Sequence, residues 1–218
     1  MSRTEVLGGI ATITLGRDFR GKVPVDSNGE ILVIQPKEVF SESIEEAVSV
    51  KANKVGVIDD RLLHPGDILC SIRHKFVSTV VKEEWLKKKP VIANSGLFII
   101  RLNKEGYLPE FVSAFINCFF ERKEFQDMLE RQEQEKMQNG KKPSVRLLTK
   151  DCLVCVPIPY KSIEEQRKIA EEIREAQARF REITTYVNNE RKRIEDYYKQ
   201  AIQDYSLGMD VAYSSIIE

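Results

Sequence analysis

From Ser162 to Tyr205 the chain contains no glycine and no proline, and within that stretch Ile173, Ala176, Phe180, Ile183, Val187, Glu190, Ile194, Tyr197 and Ala201 step by 3, 4, 3, 4, 3, 4, 3 and 4 residues. Eight of the nine are apolar or aromatic. A stripe this narrow and regular is a heptad seam, which suits a second helix and predicts a coiled coil. The same pattern also allows an amphipathic helix lying on its own domain. At 1.5 Å per residue the helix would be roughly 65 Å long, longer than the preceding domain is wide, so it is expected to project. Its start is well marked. Pro157-Ile158-Pro159-Tyr160 cannot lie inside a regular helix, and Ser162 followed by Glu165 forms a capping box. The predicted organisation is a domain over 1–160, a helix over 161–205, and a patternless, flexible tail over 206–218.

The part before the helix has another texture. It carries ten of the eleven glycines and all eight prolines. Short β-rich runs such as Ile31-Leu32-Val33-Ile34, Asp67-Ile68-Leu69-Cys70-Ser71-Ile72 and Gly96-Leu97-Phe98-Ile99-Ile100 are bounded by turn residues, so they read as strands. A helix is predicted over Pro109 to Leu129, where Phe111, Phe115, Cys118 and Phe119 recur at helical spacing. The fold class is therefore mixed α/β (α+β), followed by a long C-terminal coiled-coil helix. The chain's zero net charge splits accordingly, with 25 basic and 22 acidic groups up to Lys161 and 9 and 12 after it. No apolar run approaches the roughly 18 residues of a membrane span. The first residues lack a signal-peptide pattern, so a cytoplasmic protein with reduced, buried cysteines is expected.

Catalytic chemistry is sparse. There is no Gly-rich phosphate loop and no Gly-x-Ser-x-Gly elbow. Cys152-x-x-Cys155 is half a zinc site with no second pair, and reads instead as two cysteines in a buried strand, Cys152 to Val156. His64 precedes a Pro-Gly turn. The acidic pair Asp59-Asp60 lacks a following Glu-x-Lys. The aromatic-flanked Asn-Pro-Pro or Asp-Pro-Pro of amino-methyltransferases is missing. No catalytic residue, metal site or cofactor is predicted.

What remains is a set of basic turns in the first domain. Arg17, Arg20 and Lys22 lie between and beside glycines; Arg73, His74 and Lys75 follow a strand end; Lys141, Lys142 and Arg146 belong to the loop of Gly140 and Pro143-Ser144. Arginine can grip guanine with two hydrogen bonds, whereas lysine mostly positions phosphate. Asn94 is a further candidate base reader, although Asn-Ser-Gly is also an ordinary turn. The Lys87-Lys88-Lys89 triplet carries almost no information. Clustered in one domain, these groups make a local nucleic-acid surface reasonable.

Four segments together resemble the DNA-specificity subunit of Type I restriction-modification systems. They are Leu63 to Arg73, Ile92 to Arg101, Leu108-Pro109-Glu110-Phe111-Val112 leading into Phe115-Ile116-Asn117, and Leu148-Thr149-Lys150-Asp151 through Pro157-Ile158-Pro159 to Glu165-Gln166-Arg167-Lys168-Ile169. The family's Ser-x-Arg-Gly stands here as Ser71-Ile72-Arg73-His74, so no backbone role of that glycine carries over.

The resemblance implies a non-catalytic subunit that reads double-stranded DNA in the major groove and docks methyltransferase and ATP-dependent restriction subunits. Family members usually hold two recognition domains and two helices, and this sequence has one of each. It is therefore expected to form a homodimer through Ile173, Ala176, Phe180, Ile183, Val187, Ile194 and Tyr197, with antiparallel helices and a bipartite inverted-repeat target. In one antiparallel register Glu172 faces the partner's Arg193. Two rival readings are a self-contained metal-dependent endonuclease using Asp59, Asp60 and magnesium, and a coiled-coil scaffold that binds only protein.

Overall fold

The computed structural model describes residues 3–56, 61–73, 75–138 and 147–217, apart from the side chains of 132, 133, 135–138, 181 and 204–217. The strands are β1 (Thr4–Val6), β2 (Ala11–Leu15), β3 (Ile31–Ile34), β4 (Val48–Val50), β5 (Ile68–Ser71), β6 (Ser78–Val80), β7 (Val91–Ala93), β8 (Leu97–Leu102) and β9 (Pro157–Pro159). The helices are α1 (Pro36–Ser41), α2 (Ala52–Val55), α3 (Glu83–Leu86), α4 (Pro109–Phe120), α5 (Lys123–Gln138), α6 (Lys150–Val154) and α7 (Ile163–Ile217). By its contacts the chain divides into two units, Met1–Ala170 and Glu171–Glu218.

In the first unit, an antiparallel sheet of order β2-β8-β5-β6 and a smaller one of order β4-β3-β7 share a core between them. Strand alternation sorts the side chains. Ile68, Cys70, Phe98 and Ile100 enter one core with α4, α5 and α6, while Leu69, Leu97 and Ile99 enter a second core with Ile34, Val91 and Trp85. Because both faces are covered, β5 and β8 read as continuous apolar runs. The edge strand β2 instead alternates, with Ala11 and Ile13 buried and Thr12 and Thr14 exposed.

One predicted helix becomes two. Phe120 and Phe125 stack with ring centroids 4.9 Å apart, and Phe76 closes on both at 5.9 and 5.8 Å. Five residues along one helix lie about 140° apart around its axis, so a single helix could not aim both rings at one core. The turn after Phe120 removes that conflict. The Cys152 segment also departs from expectation, forming α6 rather than a strand. Thr149 caps it, its Oγ1 accepting from the Cys152 N–H at 3.3 Å. Burial follows the helical face: Cys70 and Cys152 are buried, but Cys118 and Cys155 are exposed, contrary to the expectation that all four are buried. Burial alone pushes the Cys70 thiol far up from its ordinary pKa.

The Pro-x-Pro segment is β9, paired antiparallel with β1 in the register Thr4 to Pro159 and Val6 to Pro157. The Tyr160 N–H donates to Arg3 O at 2.7 Å, and the Leu7 N–H to Val156 O at 2.8 Å. Two-residue spacing puts both prolines on the side of this ribbon where a missing N–H is tolerated. The capping box forms as predicted, with the Ser162 N–H donating to Glu165 Oε2 at 3.0 Å and the Glu165 N–H to Ser162 Oγ at 3.3 Å. One turn on, Gln166 is fully buried. It accepts from the Leu108 N–H at 2.8 Å and donates to Gly106 O at 2.6 Å and Lys161 O at 2.8 Å.

In the second unit, α7 carries the heptad stripe in the open. Phe180, Ile183, Val187, Ile194 and Tyr197 are 70%, 61%, 49%, 54% and 72% exposed. Ile173 is half-buried and Ala176 exposed. Ion pairs within the helix flank the stripe, among them Arg179–Glu175 at 3.2 Å and Arg193–Glu190 at 2.7 Å. Glu190, the one charged heptad position, thus has a partner on its own helix, and so does Arg193. Among the described residues no helix is long and apolar enough to cross a membrane.

Candidate nucleic-acid interface

The register of the large sheet decides which loops meet. Leu15 of β2 lies opposite Phe98 of β8, and Leu97 of β8 lies opposite Ser71 of β5. One end of the sheet therefore gathers the chain leaving β2, the chain entering β8 and the chain leaving β5. These are the segments that carry Arg17, Asn94 and Arg73. Hydrogen bonds beyond the strands knit them together. Arg17 forms a parallel bridge with Asn94, its N–H donating to Ala93 O at 2.7 Å and its carbonyl accepting from the Ser95 N–H at 2.8 Å. The Ile72 N–H reaches Gly96 O at 3.2 Å.

Glycine makes this closeness possible. A Cβ added to Gly16 would stand 2.1 Å from Asn94 O, so no side chain fits between β2 and the Asn94 turn. The sequence reading missed this requirement, whose only signal is a glycine directly after a strand. Downstream, Asp18 Oδ1 accepts from the Arg20 N–H at 2.9 Å. Arg20 takes φ 50°, in the left-handed region that favours glycine. Arg20 and Lys22 are both exposed.

The loop after β5 is pinned from inside. The fully buried Ser71 donates its hydroxyl to Lys75 O and accepts from the Val77 N–H at 3.0 Å. That leaves Arg73 and Lys75 exposed on its outer side. Arg73 bridges Leu147, and the Leu148 N–H donates to Ile72 O at 3.0 Å. The residue that follows Arg146 in the chain is thereby tethered at Arg73. His74, Lys141, Lys142 and Arg146 lie outside the described residues, as do Asp59 and Asp60. Among the described residues no group of three or more His, Cys, Asp or Glu could hold a metal ion.

Asn94 is partly committed to its turn, because its Oδ1 accepts from the Gly96 N–H at 3.0 Å. The lysine triplet divides. Lys89 is half-buried and donates to Gly29 O at 2.6 Å and Ser49 Oγ at 3.2 Å, whereas Lys87 and Lys88 are exposed.

The opposite end of β8 is held by an ion pair. Arg101 donates from Nε to Asp67 Oδ1 and from Nη2 to Asp67 Oδ2, both at 2.7 Å, and from Nη2 to Leu62 O at 2.8 Å. Asp67 Oδ2 also accepts from the His64 N–H at 2.8 Å, so His64 belongs to a turn, as expected. Hydrogen bonding to the Asp67 carboxylate raises the Arg101 pKa above its ordinary value. Asp67 is 2% exposed. Asp67→Ala leaves the Arg101 fork and the His64 N–H without their acceptor, and we expect it to lower stability by about 3 kcal/mol in urea denaturation. Asp67→Asn, which keeps one acceptor oxygen, is expected to lose less.

No family model matches the chain, and no curated protein matches it. Solved structures do. A chain in the structure reported as "Structural basis underlying complex assembly and conformational transition of the type I R-M system" superposes with TM-score 0.52 at 18% identity, over 81% of this chain and 38% of that one. The crystal structure of the HsdS subunit from Thermoanaerobacter tengcongensis superposes with TM-score 0.51 at 19% identity, over 81% and 37%. The chain spans less than two fifths of the length of either. Over four fifths of its residues, then, it has the fold of an HsdS subunit.

Proposed function

We propose that this chain is a non-catalytic, sequence-specific DNA-recognition subunit of a Type I restriction-modification system. One observation carries the reading: the segments of Arg17, Asn94 and Arg73, spread over 78 positions of sequence, meet at one end of a single sheet, and the same loops expose Arg20, Lys22, Arg73 and Lys75. Basic and amide side chains on loops held by a rigid scaffold are what a duplex-reading surface needs. The resemblance of the four sequence segments and the HsdS fold point the same way. The recognition domain in this reading is residues 1–160. A second copy joined through α7 supplies the other half-site, and methyltransferase and ATP-dependent restriction subunits dock on the pair.

The test is selection from randomised duplexes by the purified full chain. We expect an inverted repeat with two half-sites about two helical turns apart. Four exposed cations per domain, Arg20, Lys22, Arg73 and Lys75, should give log K against log salt a slope of about −4 per domain. Binding without sequence preference, or no binding at low salt, would overturn the proposal. Cleavage of the duplex by the chain alone would replace it with an endonuclease.

A further inference from the structure

Two arginines of the first unit sit half-buried at opposite ends of β8, and they differ in their donors. Arg101 has Nε and Nη2 committed to Asp67 and the Leu62 carbonyl. Arg17 has its Nε buried with no hydrogen-bond partner among the described residues. That nitrogen has no access to solvent, so an incoming acceptor can meet only the terminal Nη donors of the guanidinium. The origin of the Arg17 side chain is also fixed. Its N–H and C=O are bonded to Ala93 and Ser95 at 2.7 and 2.8 Å, the Gly16 N–H to Leu97 O at 3.0 Å, and Gly16 has no room to shift toward Asn94. On the guanidinium side stands Gly56, where an added Cβ would lie 3.7 Å from Nη2.

We infer that Arg17 is the base-reading residue of this surface and that the base it reads is guanine; the inference rests on the DNA-recognition function proposed above. A phosphate contact needs charge and reach, which the exposed Arg20, Lys22, Arg73 and Lys75 supply. A base contact needs a donor pair held at a set position, which the pinned, half-buried Arg17 supplies. The chemistry beside it selects the base. Arg17 has only donors, and its bridge partner Asn94 has one lone pair of its oxygen engaged by the Gly96 N–H, so a base edge made of acceptors suits this pair. In the major groove guanine presents two adjacent acceptors, N7 and O6, at the spacing of the guanidinium fork. Adenine and cytosine place an amino group there, and thymine offers one acceptor beside a methyl group.

The experiment compares wild type with Arg17→Gln, Arg17→Ala and Arg17→Lys, each as the full chain, by selection from randomised duplexes and by salt titration on the selected site. Wild type is expected to require guanine at one position of each half-site. Arg17→Gln should move that preference to adenine, whose N6 and N7 match a glutamine amide, a gain that misfolding cannot imitate. Arg17→Ala should bind all four bases alike at that position while other positions stay selective, a loss of roughly 10- to 100-fold in discrimination. Arg17→Lys, which keeps the charge but loses the fork, should weaken the guanine preference about tenfold and leave the salt slope unchanged. Uniform weakening over all sequences with a shallower slope would make Arg17 a phosphate contact. An unchanged guanine preference in all three variants would remove it from readout. Either result overturns the inference and leaves the proposed function standing. A wild-type chain that selects no sequence removes the proposed function first, and the inference with it.

Discussion

Gln166→Leu is expected to cost about 4 kcal/mol of stability. The substitution keeps the volume and removes every polar atom. Three backbone groups then lose their partner at once: the Leu108 N–H, the Gly106 carbonyl and the Lys161 carbonyl. Gln166 has no exposed surface, so water cannot replace the amide without opening the site. Each buried backbone group left unbonded costs about 1–3 kcal/mol, with the three summing incompletely because the loop relaxes. The chain has one tryptophan, Trp85, and it is 3% exposed in the core between the sheets. Its fluorescence during urea unfolding measures the change. Gln166→Glu separates shape from hydrogen bonding. One carboxylate oxygen can still accept from Leu108, but the other takes the place of the amide nitrogen and faces the Gly106 and Lys161 carbonyls, which favours the protonated form and raises its folded pKa above the unfolded value of about 4.3. Stability lost by that variant should therefore return, relative to wild type, as pH falls through the raised pKa. A loss below about 1 kcal/mol for Gln166→Leu would show that the junction opens freely to water.

This junction also marks how far the sequence could be read. Ser162 and Glu165 announce the helix start because a capping box is local chemistry, four residues long. Gln166 was visible within the Glu-Gln-x-x-Ile pattern, yet its task was not, because its partners at 106 and 108 lie about sixty positions away. The same limit governed the helix after Pro109. Apolar periodicity continues past Phe120, and only the tertiary demand that Phe120 and Phe125 meet Phe76 breaks it. In α6, the apolar run Cys152 to Val156 fits a buried strand as well as a helical turn, and the cap at Thr149 is what marks it as helical. The candidate interface behaved likewise. Its members were legible singly as arginines, lysines and an asparagine in turns. Their convergence depends on the pairing of Leu15 with Phe98 and of Ser71 with Leu97, and a one-residue slip would turn every side chain of those strands to the other face. Lys89 could not have been told from Lys87 and Lys88 by composition at all. It differs because Gly29 O and Ser49 Oγ happen to lie within its reach.

Phe180→Glu combined with Ile183→Glu is expected to convert the proposed dimer into a monomer, weakening association about 10⁴-fold. The two side chains are 70% and 61% exposed in the single chain, on a stripe whose spacing suits a partner helix. In a symmetric pair each substitution counts twice, so four apolar side chains leave the seam. At about 1.5 kcal/mol for each, the minimum for burying such a group, the loss is about 6 kcal/mol, before any repulsion among the four carboxylates. Sedimentation of wild type and variant at micromolar concentration measures it. Thr185→Glu, on the face of α7 opposite the heptad stripe, adds a charge away from the seam and should leave the dimer intact. The flanking pairs Arg179–Glu175 and Arg193–Glu190 sit within one helix, so they support α7 without specifying its partner, and the stripe is left to do so. Trp85 lies in the other unit, so its urea midpoint should not move, separating lost pairing from lost folding. The DNA result then follows from the geometry. A monomer with an intact sheet end should still select one half-site and lose the fixed spacing to the second. A wild-type chain that sediments as a monomer at 100-fold higher concentration would show that the stripe meets some helix other than its own copy.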